Sequence, residues 1–323
     1  MDEELMENAP IEVPVYLFTG FLEAGKTKFL QETLEDERFN SGERSLLIMC
    51  EEGVEELDPN SFSNPDIFIR YVEEPEELTE ENLRRWLLEA NAERVLVEYN
   101  GMWMLDDFYM AMPPAWAVYQ EFMFADATTF LNYNDNMRQL CYDKLKSCEL
   151  IVFNRFPEGA DIMPYHKIVR AANRACDIAY ESIDGKVRYD DIVDPLPFNK
   201  KAKAFEIEDK DYAIWYRDLN EELESYESKV VRFKAQIALS EDLEPDELVV
   251  GRQMMTCCAD DIAFAGLIAV NNSRLDLSNG QWVMLTAAIK IMEHPGYDRP
   301  GPVLKIREIS PCEAPAEKVA SFM

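Results

Sequence analysis

The sequence predicts an α/β domain built on a mostly parallel sheet, followed by a small β-barrel of OB type. Three observations carry this. A glycine-rich pattern joins an apolar strand to a helix near the start of the chain. Strands and helices then alternate to about residue 180, the signature of a parallel sheet. Beyond about residue 229 strands follow one another without helices, as in small closed barrels.

The organising stretch runs from Val13 to Thr27. Val13-Pro14-Val15-Tyr16-Leu17-Phe18-Thr19 reads as a buried strand. Gly20-Phe21-Leu22-Glu23-Ala24-Gly25-Lys26-Thr27 fits G-x-x-x-x-G-K-[ST], the phosphate-binding loop of P-loop NTPases. Gly20 and Gly25 let the backbone curl so that its N–H groups face phosphate oxygens. Lys26 supplies charge to the outer phosphates and Thr27 a hydroxyl for Mg2+. The helix that begins here adds its positive dipole end. The expected cofactor contacts are therefore Gly20, Glu23, Ala24, Gly25, Lys26, Thr27 and Lys28.

The next strand, Glu43 to Cys50, delivers Glu51-Glu52-Gly53-Val54-Glu55-Glu56-Leu57-Asp58 to the end of the sheet where ligands bind. Glu51 could reach Mg2+ there, and an acidic surface loop is the plain alternative. Asp66 to Val72 reads as a strand. Thr79 to Ala90 reads as a helix capped by Thr79, with Leu83, Trp86 and Leu87 on one face. Arg94-Val95-Leu96-Val97 then leads to Glu98-Tyr99-Asn100-Gly101. An apolar strand that delivers a carboxylate, with glycine three positions on, suits a phosphate-hydrolase site. Glu98 would hold Mg2+ or its water, and the Gly101 N–H would touch the terminal phosphate.

Residues 102–120, rich in Met, Trp, Tyr and Pro, read as an irregular, partly apolar lid or contact surface, or as plain packing. A strand from Glu121 is expected to end near Asp126, followed by a helix through Leu145. The strand Glu149 to Phe153 ends in Asn154-Arg155-Phe156-Pro157. Asn154 can hydrogen-bond a nucleobase edge and the planar Arg155 can stack on its face. A helix from Tyr165 to Ala175 and a strand from Asp177 to Tyr180 close the domain.

A shift in composition places a linker at 199–210, between a nucleotide-binding domain over 1–198 and a second domain over 211–323. In the second, a helix from Asp211 to Tyr226 precedes strands at Lys229–Leu239, Glu247–Cys258, Phe264–Val270, Gln281–Met292 and Pro302–Ile309.

The formal net charge of -31 argues against nucleic acid as a partner and against anionic membrane surfaces. No apolar run is long enough for a bilayer span, and the acidic start Met1-Asp2-Glu3-Glu4 is unlike a signal peptide. Seven scattered cysteines suit free thiols in a reducing cytoplasm. Cys257-Cys258 is the dense thiol pair. Neighbours on a strand face opposite ways, so either thiol would need distant partners such as His294, Cys312 or Asp260 to bind a transition metal. With only His166 and His294 present, no histidine-rich site exists. His166, at a helix start, is expected to be structural.

With these motifs in order, residues 12 to about 198 resemble the CobW-type P-loop GTPases, a family tied to metal delivery. The resemblance rests on Gly20–Thr27, on Glu98-Tyr99-Asn100-Gly101 and on Asn154-Arg155. Residues from about 211 to 318 resemble the YcgQ-type C-terminal domain, whose family pairs with a YcgR-type permease. That likeness rests on Gly251-Arg252-Gln253-Met254-Met255-Thr256-Cys257-Cys258-Ala259-Asp260, Gly266-Leu267 and Gly280-Gln281-Trp282-Val283.

Together they imply a cytoplasmic Mg2+-dependent GTPase, with Lys26 and Glu98 catalytic, Thr27, Glu51 and Glu98 around Mg2+, and Zn2+ as a candidate cargo. A metal-receiving client or the permease would be its partner, and a homodimer is left open. The alternative is a nucleotide-binding scaffold that hydrolyses nothing and acts through its C-terminal domain. Three departures bear on this, the first being Glu23, which stands where the family's P-loop usually has a small residue and puts a carboxylate beside the phosphates. The family's Cys-x-Cys-Cys motif has no counterpart in Tyr71 to Leu78. The guanine-reading Asn-Lys-x-Asp is here Asn154-Arg155-Phe156-Pro157, which leaves ATP open beside GTP.

Overall fold

The computed structural model describes residues 12–39, 42–240, 243–256, 261–271 and 277–322. The chain divides into two compact units between Asp191 and Ile192.

In the first unit the elements alternate as β1 (Val13–Thr19), α1 (Lys26–Glu35), β2 (Ser45–Met49), β3 (Ile67–Tyr71), α2 (Glu80–Ala90) and β4 (Arg94–Glu98). There follow α3 (Leu105–Ala111), β5 (Trp116–Asp126), α4 (Ala127–Asn136), α5 (Arg138–Leu145), β6 (Leu150–Phe156), α6 (Met163–Ala172), β7 (Asp177–Ser182) and β8 (Val187–Tyr189). The sheet order is β3-β2-β4-β1-β5-β6-β7-β8. Every neighbouring pair is parallel except β7–β8. This is the α/β P-loop fold that the alternation of elements predicts.

Strands β2 and β4 are buried at every position, which explains their nearly unbroken apolar runs. Phe18, Leu30, Leu34, Leu47, Leu96 and Phe124 pack together under α1. Burial of each such side chain stabilises by about 1.5–3 kcal/mol. The hydroxyl of Thr79 accepts from Asn82 N and so caps α2 as its sequence predicts.

Residues 102–120 are not the irregular stretch expected. They contain α3 and the start of β5, and Leu105, Phe108 and Trp116 are core residues. Trp103, Phe108, Tyr109 and Met112 pack in the cluster around Tyr99, whose hydroxyl donates to Met104 O at 2.8 Å, whereas Met102, Met110 and Tyr119 are exposed. His166 is buried and faces Asp190, with Nδ1 3.1 Å from each carboxylate oxygen, in keeping with a structural role.

The second unit holds β9 (Ala204–Glu206), α7 (Tyr212–Glu221), β10 (Val230–Ala238), β11 (Glu247–Met255), β12 (Ala263–Val270), β13 (Trp282–Met292), β14 (Gly301–Pro311) and β15 (Ala320–Ser321). Five of these close a barrel in the order β11-β12-β14-β13-β10, with β10 pairing back to β11. Only the β12–β14 contact within that ring is parallel. Burial alternates along β10 and β13, as a filled barrel requires. Gly251 and Gly266 face each other across β11 and β12. A Cβ on Gly251 would lie 2.2 Å from Ala265 O, so these glycines of the YcgQ-like signature allow the strands to close. Trp215 of α7 enters the barrel core 4.7 Å from Phe233. The stretch expected as a linker, 199–210, is part of this unit, since β9 pairs with β10.

Candidate functional site

The crevice lies at the carboxyl ends of β1, β4, β5 and β6, where the strand order reverses on either side of β1. A cavity of about 550 Å³ opens there. Among its lining residues are Glu23, Gly25, Lys26, Thr27, Lys28, Glu51, Glu98, Asn154 and Arg155.

The loop from Gly20 to Thr27 is curled, not flat. Gly20 has φ 129° and Gly25 has φ 96°, conformations that glycine alone adopts without strain. A Cβ on Gly20 would lie 2.1 Å from Phe124 O. Glu23 also has positive φ, at 59°, and its side chain is exposed. Ala24 is buried, and its carbonyl accepts from Asn154 Nδ2, which ties the loop to the end of β6. Lys28 is exposed on α1 and lies 3.9 Å from Glu32.

Lys26 is 2 % exposed. Its Nζ donates to Gly20 O at 2.8 Å, Phe21 O at 2.9 Å and Glu51 Oε2 at 2.5 Å. The other oxygen of Glu51 accepts from Gly101 N at 3.3 Å. Gly101 packs against the loop so closely that a Cβ would stand 2.7 Å from both Gly20 O and Phe21 Cα. Thus the two groups expected to hold a terminal phosphate, Lys26 and the Gly101 amide, both hold the Glu51 carboxylate.

Thr27 Oγ1 donates to Glu98 Oε1 at 2.8 Å. Glu98 is 2 % exposed, and its Oε2 is buried without a hydrogen-bond partner. Burial pushes its carboxyl up to about 7, against the opposing pull of Lys26 and the Thr27 hydroxyl. A hydroxyl and an under-coordinated carboxylate oxygen are the hard donors that Mg2+ takes, so Thr27 and Glu98 fit that ion. Glu51 is turned toward Lys26 and Gly101.

At the other end of the cavity, Asn154 is buried and its Oδ1 lacks a hydrogen-bond partner. Arg155 has φ 52°. Its Nε donates to Asp126 Oδ2 at 2.7 Å and its Nη2 to Glu23 O at 2.6 Å, so the guanidinium spans the cleft. Asp126 and Glu181 line the cavity although sequence reasoning gave them no part in it. Their position at the carboxyl ends of β5 and β7 was the available signal.

Cys257 and Cys258 lie outside the described residues, as does Asp260. Among the described residues no group of three or more His, Cys, Asp or Glu side chains could hold a metal ion.

Fold and loop together define the first unit as a P-loop α/β domain. Residues 188–319 match the family model described as the DUF1980 C-terminal domain. The YcgQ-type resemblance of the barrel is thereby met, over a slightly longer span than expected. Among solved structures, the chain is similar to the hydrogenase maturation factor HypB from Archaeoglobus fulgidus. Identity is 17%, coverage is 56% of this chain and 86% of that one, and the TM-score is 0.39. It is also similar to the Zn(II)-bound YjiA GTPase from E. coli, at 15% identity and TM-score 0.42, over 74% of this chain and 86% of that one. A Zn(II)-bound triple mutant of YjiA gives 16% identity with the same coverage and score. No curated protein matches the chain.

Among the described residues no helix is long and apolar enough to cross a membrane.

Proposed function

We propose that the first unit binds a Mg2+-nucleoside triphosphate, GTP in the first instance, and hydrolyses it. The observation that carries this reading is the pair of carboxylates around the P-loop. Glu51 sits on Lys26 and the Gly101 amide where a terminal phosphate would sit. Glu98, bonded to Thr27, keeps a buried oxygen without a hydrogen-bond partner.

In this reading the curled backbone and Lys26 bind the phosphates. Thr27 and Glu98 hold Mg2+, which when bound neutralises charge on the phosphate oxygens. Glu98, bonded to Thr27, would position the ion or a water bound to it. Lys26 stabilises charge that develops as the terminal phosphate leaves. Release of Glu51 from Lys26 makes the 51–58 segment responsive to the bound nucleotide.

The motif resemblance extends this reading to metal delivery in the cytoplasm. The barrel would pass the nucleotide-dependent change to a client or to a YcgR-type permease, with Zn2+ as the first cargo to examine.

Turnover of GTP by the full chain with Mg2+, compared with Lys26→Ala, tests the reading. Phosphate release that depends on Lys26 is expected. Equal release from both proteins would reject it. Tight nucleotide that persists unhydrolysed would leave a binding protein without catalysis.

A further inference from the structure

We propose that Glu181 reads the guanine edge in place of the aspartate missing after Asn154-Arg155. This rests on the nucleotide-binding reading above and names the specificity-determining residue of that site.

The argument starts from strand register. β6 and β7 pair as Phe153 with Tyr180 and Phe156 with Ser182, with an irregularity between. Glu181 therefore lies opposite Asn154 and Arg155, where Arg155 takes its left-handed φ. Phe153 and Tyr180 stack at 5.7 Å on one face of the sheet, with Tyr165 beside Phe153 at 5.0 Å. Successive side chains on a strand alternate faces. Asn154 and Glu181 thus leave on the other face, where Asn154 bonds Ala24 of the P-loop. Both line the same cavity.

Chemistry selects Glu181 among the cavity's carboxylates. Glu51 and Glu98 are at the phosphate end, and Glu55 lies close enough to influence Glu98. Asp126 is taken by Arg155 and by Thr128 N. Glu32 lies on α1 beside Lys28, and Glu23 lies within the P-loop itself. Glu181 is half-buried, and its carboxylate meets no hydrogen-bond or ion-pair partner among the described residues.

A carboxylate there can accept from guanine N1–H and N2–H2 together. Adenine offers a lone pair at N1 and no amino group at C2, so it would leave the charge unpaired. Arg155 stacks on the base while Asn154 bonds its edge.

The test uses the full chain with Mg2+ and four triphosphates, GTP, ITP, ATP and XTP, with pyrophosphate as a probe of the P-loop alone. The unaltered protein is expected to prefer GTP to ITP and ITP to ATP. Glu181→Gln should weaken GTP by roughly 100-fold and improve XTP, whose C2 carbonyl accepts from the new amide. Pyrophosphate binding should not move. Asp126→Asn, which loosens Arg155, should weaken all four bases alike. Retention of the GTP-to-ATP ratio in Glu181→Gln overturns the proposal, as does equal binding of GTP and ATP by the unaltered protein with pyrophosphate intact. A protein that binds neither nucleotide nor pyrophosphate rejects the nucleotide-binding reading itself.

Discussion

Lys26 Nζ and Glu51 Oε2 stand 2.5 Å apart, with side chains only 2% and 9% exposed. The pair joins the first residue of α1 to the segment after β2, and Gly101 N bonds the same carboxylate. An incoming phosphate must compete with a carboxylate that is already desolvated and doubly bonded.

Glu51→Gln should therefore bind nucleotide more tightly in the absence of Mg2+, by about tenfold if one charged hydrogen bond no longer has to be displaced. The free protein should lose thermal stability, because one neutral amide oxygen cannot serve both Lys26 and the Gly101 N–H as the two carboxylate oxygens do. Calorimetry with a non-hydrolysable GTP analogue in EDTA, beside melting curves with and without nucleotide, reads both effects. Weaker binding of the analogue under these conditions would show that Glu51 supports the nucleotide and does not compete with it.

Glu98 gives the free protein a pH dependence of defined sign. Its folded carboxyl is raised from 4.5 to about 7. The folded state therefore binds the proton more tightly than the unfolded state does. From this group, stability is lost as pH rises through the window from 4.5 to 7, and the loss is complete above it. Glu98→Gln should flatten that slope and raise the melting temperature at pH 8. It should also remove the effect of Mg2+ on nucleotide affinity. In the unaltered protein that Mg2+ effect should grow between pH 6 and pH 8, since only the ionised carboxylate is a good ligand. Melting curves and titrations across this range check both.

The sequence makes the P-loop, Glu98 and Asn154 legible because each is fixed by residue type within a local pattern. Gly20 and Gly25 announce positive φ, and an apolar strand ending in Glu98 announces a buried acid. The Lys26–Glu51 pair is different. It joins residues 25 positions apart, through a register that only the β2–β4–β1 order creates. Glu181 was hidden for a similar reason, since its place beside Asn154 depends on the pairing of β6 with β7. Helix α3 was missed because its Met, Tyr and Phe, followed by Pro113-Pro114, look like an apolar loop until the packing of Phe108 and Tyr109 around Tyr99 is known. The five barrel strands were readable from alternation. The short β9 and β15 were not, because two or three residues carry no period.

Gly101 is demanded by proximity. Gly101→Ala would press a methyl group against two backbone atoms of the P-loop, Gly20 O and Phe21 Cα, each at 2.7 Å. Backbone cannot swing aside as a side chain can, so the segment after β4 must move away from Lys26. A stability loss of about 1–3 kcal/mol is expected from overpacking. Nucleotide affinity should fall with it, because the amide that faces Glu51 is displaced. Chemical denaturation and GTP binding measured on the same protein separate the two effects. Unchanged binding despite lost stability would remove this amide from the phosphate site.

The loop that carries Gly101 is held from behind by a buried ion pair. Asp143 Oδ2 accepts from Leu105 N at 2.8 Å and lies 3.4 Å from Lys144 Nζ, which donates to Trp103 O at 2.8 Å. Asp143 and Lys144 are almost completely buried, and burial pulls the Lys144 amine below its ordinary range. Lys146 reaches the other Asp143 oxygen at 3.1 Å. Asp143→Ala removes the counter-charge and leaves the Lys144 ammonium buried, for a loss of about 3–5 kcal/mol. Replacing both residues, Asp143→Leu with Lys144→Met, removes the charge problem and should recover much of that loss. It would still leave Leu105 N and Trp103 O without partners. The double variant should therefore fold while Trp103 to Leu105, and Gly101 with it, is set less firmly. Its unfolding midpoint should approach that of the unaltered protein while its nucleotide affinity stays reduced. Full recovery of both would limit the pair to stability, and recovery of neither would mean that the backbone contacts outweigh the charges.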